Sequence, residues 1–140
     1  MKKMMDCACF KHVPDLAPLI LRLATGVVFF AHGYQKMGDL TGFGGMLDSL
    51  GVPLPGFFAV VVMLVELVGG AALIGGLFTH WAAKLLALDM LGAFFLVHWT
   101  NGIFLQNQGY EFVLVLFGAT FALMVWGAGK WSLDAKWMKK

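Results

Sequence analysis

The chain has 140 residues, 60% of them hydrophobic and only 13% charged, with a mean hydropathy of +0.81. One ordinary soluble core of this size cannot bury that much apolar surface. Ten Lys and Arg against eight Asp and Glu leave a net charge of +2, with no basic run among the aromatics, which argues against both a disordered chain and a nucleic-acid partner.

Residues 1–15, MKKMMDCACFKHVPD, start basic but carry no apolar stretch of the kind a secretory signal needs, so they are read as a retained cytoplasmic segment. Their two cysteines, Cys7 and Cys9, stand one residue apart, too close for an ordinary mutual disulfide and too few for a disulfide scaffold. Crossing a bilayer takes about 20 mainly apolar helical residues. Four segments meet that requirement, at 16–37, 56–78, 81–99 and 110–127. Between the first two, Gly38, Gly42, Gly51, Pro53 and Pro55 punctuate a short helix from Phe43 to Leu50, whose apolar residues recur at helical spacing and suit the membrane interface. Thr79-His80 is too short a link for anything but an antiparallel hairpin, whereas TNGIFLQNQG is polar enough to leave the lipid. The predicted fold is therefore all-α: a four-transmembrane-helix up-down bundle over 16–128, an interfacial helix in its first loop, and a cytoplasmic tail at 129–140.

Cytoplasmic flanks retain Lys and Arg. Lys2, Lys3, Lys11, Lys84, Lys130, Lys136, Lys139 and Lys140 fall on one side of such a bundle and Lys36 on the other, which predicts a multi-pass protein of a prokaryotic cytoplasmic membrane with both termini inside. Trp81, Trp99, Trp126 and Trp131 stand at span ends, where an indole prefers the headgroup level.

A charge at mid-bilayer is costly unless it is paired or hydrated. The residues in question are Arg22, His32, Lys36, Glu66, Asp89, His98 and Glu111. Depth along the helices sets Arg22 level with Asp89 in an inner layer and collects His32, His98 and Glu111 in the outer third, with Glu66 between. Arg22 and Asp89 are read as a structural ion pair, and Lys36, at a span end, as a snorkelling side chain. At about 100° per residue, Arg22, Thr25, Phe29, His32 and Lys36 share an arc of about 80°, which is expected to face the interior. Asp89 and His98, nine residues apart, stand on opposite sides of a straight helix, so the third span must bend or unwind near His98, or one of the two must face a partner or a second copy. Small residues at Gly69, Gly70, Ala72, Gly75 and Gly76 allow a neighbouring backbone to approach the second span, with Ala72 and Gly76 as the small-xxx-small pair.

Two imidazoles and two carboxylates from four helices suit either a transition metal or a protonatable quinone site. His32, Glu66, His98 and Glu111 are thus the candidate catalytic residues and equally the candidate metal ligands, although the Glu-x-x-His pairing of carboxylate-bridged metal bundles is absent. Cys7 and Cys9, with His12, form a second, thiolate-based metal candidate. No glycine-rich phosphate loop, nucleophile elbow or zinc-protease motif occurs.

With these residues in place, the chain resembles the DoxX family of small four-helix membrane proteins. The resemblance rests on LRLATGVVFFAHGYQKMG (21–38), VELVGGAALIGGLFT (65–79), ALDMLGAFFLVH (87–98), NQGYE (107–111) and GKWSLD (129–134), about 120 residues in all that exclude the cysteine segment. It matches Arg22, His32, Gly33, Lys36, Glu66, Asp89, His98, Gly109 and Glu111 individually. The resemblance implies an association with quinone-coupled sulfur or oxygen chemistry, and hence a candidate oxidoreductase subunit that sits among other membrane redox subunits or self-associates. The leading expectation is a pocket near the outer leaflet, lined by His32, His98, Glu66 and Glu111, that binds a quinone or a metal. Two rivals stand beside it: a non-catalytic assembly subunit whose buried polar groups specify helix pairing, and a small transporter or metal-handling protein in which Cys7 and Cys9 exchange a soft ion.

Overall fold

A computed structural model describes residues 14–137. Among them every regular element is helical: α1 (Leu16–Gly38), α2 (Leu40–Ser49), α3 (Pro55–Gly75), α4 (Thr79–Ala93), α5 (Glu111–Trp126) and α6 (Leu133–Trp137). The chain leaves α4 through a π turn, Phe94–His98, and a 3-10 turn, Trp99–Asn101. Helices α1 and α3 and the continuous stretch Thr79–Asn101 are long and apolar enough to cross a membrane, while α5, similarly apolar, has 16 residues.

Local chemistry explains the boundaries. Asp39 ends α1 and caps α2, accepting a hydrogen bond from Gly42 N at 2.8 Å. Pro55 opens α3 where its missing N–H costs nothing. Gly76, at φ 65°, closes α3 in the left-handed conformation a glycine adopts without strain, and Leu77 N returns to Ala72 O at 2.9 Å. Three residues later α4 begins with its first amides bound by a side chain from far along the chain. Asp134 accepts from Phe78 N at 2.7 Å and Thr79 N at 2.9 Å, so the segment GKWSLD clasps the α3–α4 hairpin.

The core joins Phe29, Leu73, Leu86, Met90, Val113 and Leu123. Helices α1 and α3 cross closely at Gly26, Gly33 and Gly70. A Cβ at Gly70 would lie 2.5 Å from Phe30 N, and one at Gly26 would lie 2.9 Å from Gly70 O. The close approach thus falls on Gly70 rather than on the Ala72/Gly76 pair. It also rotates α1: Arg22, Thr25, Gly26, Phe29 and Gly33 are buried, whereas His32, about 70° from the centre of that face by helical geometry, is exposed. The outside is covered by large apolar side chains such as Val115, Val125 and Val68, the reverse of a water-soluble bundle.

Candidate binding cavity

At one end of the bundle Arg22 is almost fully buried, at 1% exposure. Its guanidinium donates to Leu73 O at 3.1 Å, Ile74 O at 3.0 Å and Ala128 O at 3.1 Å, and through Nη2 to Trp131 O. The first two are carbonyls in the last turn of α3, where a helix leaves its acceptors unpaired and its dipole favours a cation. Arg22 therefore binds backbone, and the expected ion pair with Asp89 is not formed among the described residues. The planar five-donor head of Arg can serve carbonyls from two directions at once, and this removes the need for a carboxylate partner.

The carboxylates gather elsewhere. Lys36 does not snorkel: its Nζ donates to Glu66 Oε2 at 2.6 Å, with the Glu66 side chain 5% exposed. The antiparallel register that sets Gly33 against Leu67, Phe30 against Gly70 and Gly26 against Ile74 brings Lys36 alongside the turn of α3 that carries Glu66. Lys36 also sits over the ring of Phe43, 5.1 Å from its centroid, which ties α2 to the pair.

This ion pair borders a cavity of about 950 Å³. Helices α1, α2, α3 and α4 and the π turn wall it, and Leu105 and Gln108 reach it from the loop before α5. Most of its lining is aliphatic or aromatic, with Lys36, Glu66, Asp89 and His98 as the ionisable groups. Asp89 lies within electrostatic reach of both Glu66 and Lys36, and its Oδ2 is buried with no hydrogen-bond partner among the described residues. The π turn explains how Asp89 and His98 reach one cavity. Bonded i to i+5, it advances fewer degrees per residue than an α turn and swings His98 back toward the side of Asp89. His98 Nδ1 lies 2.6 Å from Gln108 O and so fixes the loop to the end of α4.

The four-residue outer site predicted from sequence is thus divided. Glu66 and His98 share the cavity. His32 is exposed with its ring 6.2 Å from that of Phe112, and Glu111 accepts from Leu105 N at 2.5 Å, which folds the loop onto the start of α5. Neither His32 nor Glu111 lines the cavity, and among the described residues no three His, Cys, Asp or Glu side chains are grouped to hold a metal. Depth placed these four together, and the arc shared with Arg22 and Phe29 set His32 inward as well; the tight α1–α3 crossing centres the buried face of α1 away from His32, and depth does not say which way Glu111 faces around its helix. Cys7 and Cys9 lie outside the described residues. The residues that the sequence reading undervalued are Lys36 and the α2 wall, Phe43 and Leu47, and the signal for them was the apolar spacing of α2 next to a span-end lysine.

The DoxX family profile matches residues 17–99, more than half of the chain. The chain belongs to the DoxX family. Among its DoxX-type relatives, "Putative oxidoreductase CatD" of Bacillus subtilis is 34% identical over 109 residues, covering 78% of this chain and 79% of the relative. The uncharacterized membrane protein Rv3486 of Mycobacterium tuberculosis is 34% identical over 134 residues, covering 87% and 82%. The inner membrane protein YqjF of Escherichia coli is 29% identical over 130 residues, covering 93% and 98%. No solved structure matches the chain. Like these relatives, this DoxX protein is a membrane protein, and the cavity with its Lys36–Glu66 pair lies within the part that the family profile covers, apart from the loop residues Leu105 and Gln108.

Proposed function

We propose that this DoxX protein is a redox-associated membrane subunit that binds the headgroup of a quinone in the cavity bounded by Lys36, Glu66, Asp89 and His98. The observation that carries the reading is the burial of an ion pair and a further carboxyl in a mostly apolar space of about 950 Å³, within the range of sites that enclose a drug-sized molecule. Such groups are costly in a membrane, and a quinone gives them work: its interconversion with the quinol moves two protons with two electrons. In this reading Glu66 and Asp89 exchange those protons, Lys36 orients the head, and a partner redox subunit carries the electrons. The name of the Bacillus relative as an oxidoreductase points the same way. Mild detergent extraction followed by organic extraction of the purified protein is expected to yield quinone in a near-stoichiometric amount. Protein that carries none and takes up none on addition contradicts the reading.

The same reading places four crossings in the bilayer, with α5 as the fourth and α2 at the outer interface. At about 1.5 Å per residue the 16 residues of α5 span about 24 Å, and the aromatic and polar residues at its ends complete the crossing. The lysine distribution orients both termini to the cytoplasm. Single cysteines introduced at Asn107 and Lys136 in a background without Cys7 and Cys9 test this. A membrane-impermeant maleimide on intact cells should label only the first, and labelling of the second alone reverses the orientation.

A further inference from the structure

The hydrogen bonds inside the cavity define what a bound head must offer. Glu66 Oε2 is engaged by Lys36, whereas Asp89 Oδ2 is buried and unpartnered among the described residues. While ionised, the Asp89 carboxylate only accepts hydrogen bonds, and an acceptor left unpaired in apolar surroundings is destabilising, so the missing partner of that ionised form is a donor. Access is defined by the wall: Leu85, Leu88 and Leu96 line the cavity and are each at least half exposed, so α4 and the π turn present an apolar mouth instead of a sealed side. In a membrane protein a mouth of that composition on a spanning helix meets acyl chains.

We propose that the cavity takes the reduced, hydroxyl-bearing form of a membrane-dissolved quinone, which arrives sideways from the bilayer past Leu85, Leu88 and Leu96 and donates a ring hydroxyl to Asp89 Oδ2. This rests on the quinone reading above and adds the redox state, the route and the residue that selects between the two forms. An oxidised ring offers carbonyl oxygens alone and meets the ionised Asp89 acceptor to acceptor, so the selection belongs to the state in which Asp89 has released its proton. The quinol satisfies Asp89, and Lys36 retains N–H donors for the other ring oxygen. The isoprenoid or alkyl tail then lies along the leucines of the mouth, where burial of its methylenes replaces lipid contacts.

The test is anaerobic equilibrium binding of a radiolabelled decyl-benzoquinol and the matching benzoquinone to the full-length protein in nanodiscs. The wild type should bind the quinol at least about tenfold more tightly, the fold-change that one hydrogen bond to a charged group provides. Asp89→Asn, which supplies both a donor and an acceptor, should bring the two forms within about twofold of each other by the same accounting. Leu85→Trp/Leu88→Trp, which narrows the mouth, should slow association. Equal affinity of the wild type for both forms, or an undiminished quinol preference in Asp89→Asn, overturns the selection by Asp89 while the quinone reading stands. Binding of neither form overturns both. Decylglycerol bound as tightly as the quinol shows that a hydroxyl and a tail suffice, and overturns the assignment to a quinol. Unchanged association in the double Trp variant overturns the lateral route. Should Asp89→Asn not fold, the wild-type comparison of the two redox forms decides the matter alone.

Discussion

Lys36 and Glu66 form a contact whose stability and chemistry pull apart. The pair removes two charges from solvent, and such a pair often stabilises no more than well-packed apolar residues of the same volume would. Breaking it is another matter, since Glu66→Gln leaves a largely buried ammonium without its counter-charge, at a cost of about 3 kcal/mol. Glu66→Gln should therefore lower the thermal midpoint in detergent clearly, whereas Lys36→Met/Glu66→Leu should recover most of the loss while quinone binding disappears. If the double variant is as unstable as the single one, the pair is structural first. At this scale the sequence was informative about cost and silent about partners. Arg22, Glu66, Asp89 and His98 stand out in any apolar helix because a charge or imidazole there is expensive whatever surrounds it. Which group answers each depends on how neighbouring helices are rotated and on a C-terminal segment that folds back to offer Ala128 O and Trp131 O to Arg22. Neither is encoded in hydropathy.

Among the elements, the α1–α3 crossing sets the site. Gly26, Gly33 and Gly70 let the two backbones approach until Lys36 reaches the turn of Glu66. Gly70→Val places a branched side chain where even a Cβ would sit 2.5 Å from Phe30 N, so the helices must separate. The expected result is loss of several kcal/mol of stability, of the order seen for overpacked cores, together with loss of the cavity ligand. Gly45→Ala on α2, where a Cβ meets nothing within 4 Å, should be neutral or stabilise by up to about 1 kcal/mol through helix propensity. Thermal unfolding of the two variants side by side separates a crossing glycine from a merely helical one, and equal effects would contradict the role given to Gly70. The apolar segments were legible at this scale because bilayer-length hydropathy is a strong signal, and α2 was legible from its spacing. The π turn was legible only as a contradiction, in the opposed positions of Asp89 and His98 on a straight helix. The outer quartet failed because the tight crossing turns His32 away from the interior and because Glu111 is used by its own loop.

For the whole molecule, the two ends of the bundle do different work. One end is closed by Arg22 and by the Asp134 clasp on the α3–α4 hairpin, so α1, α3, α4 and the C-terminal segment are joined there by hydrogen bonds. Toward the other end the helices surround the cavity, α2 forms one of its walls, and the His98–Gln108 contact holds the loop in place. A closed end and an open cavity in one small bundle suit a protein that holds an amphiphile while its fold stays fixed. The most direct measurement is photolabelling of the membrane-embedded protein with an azido-quinone, followed by mapping of the modified peptides. Adducts are expected on α2, α3 and α4 around Phe43, Glu66 and Asp89, and free quinol should suppress them. Adducts confined to outward positions such as Val115 and Val125, undiminished by competitor, would contradict it.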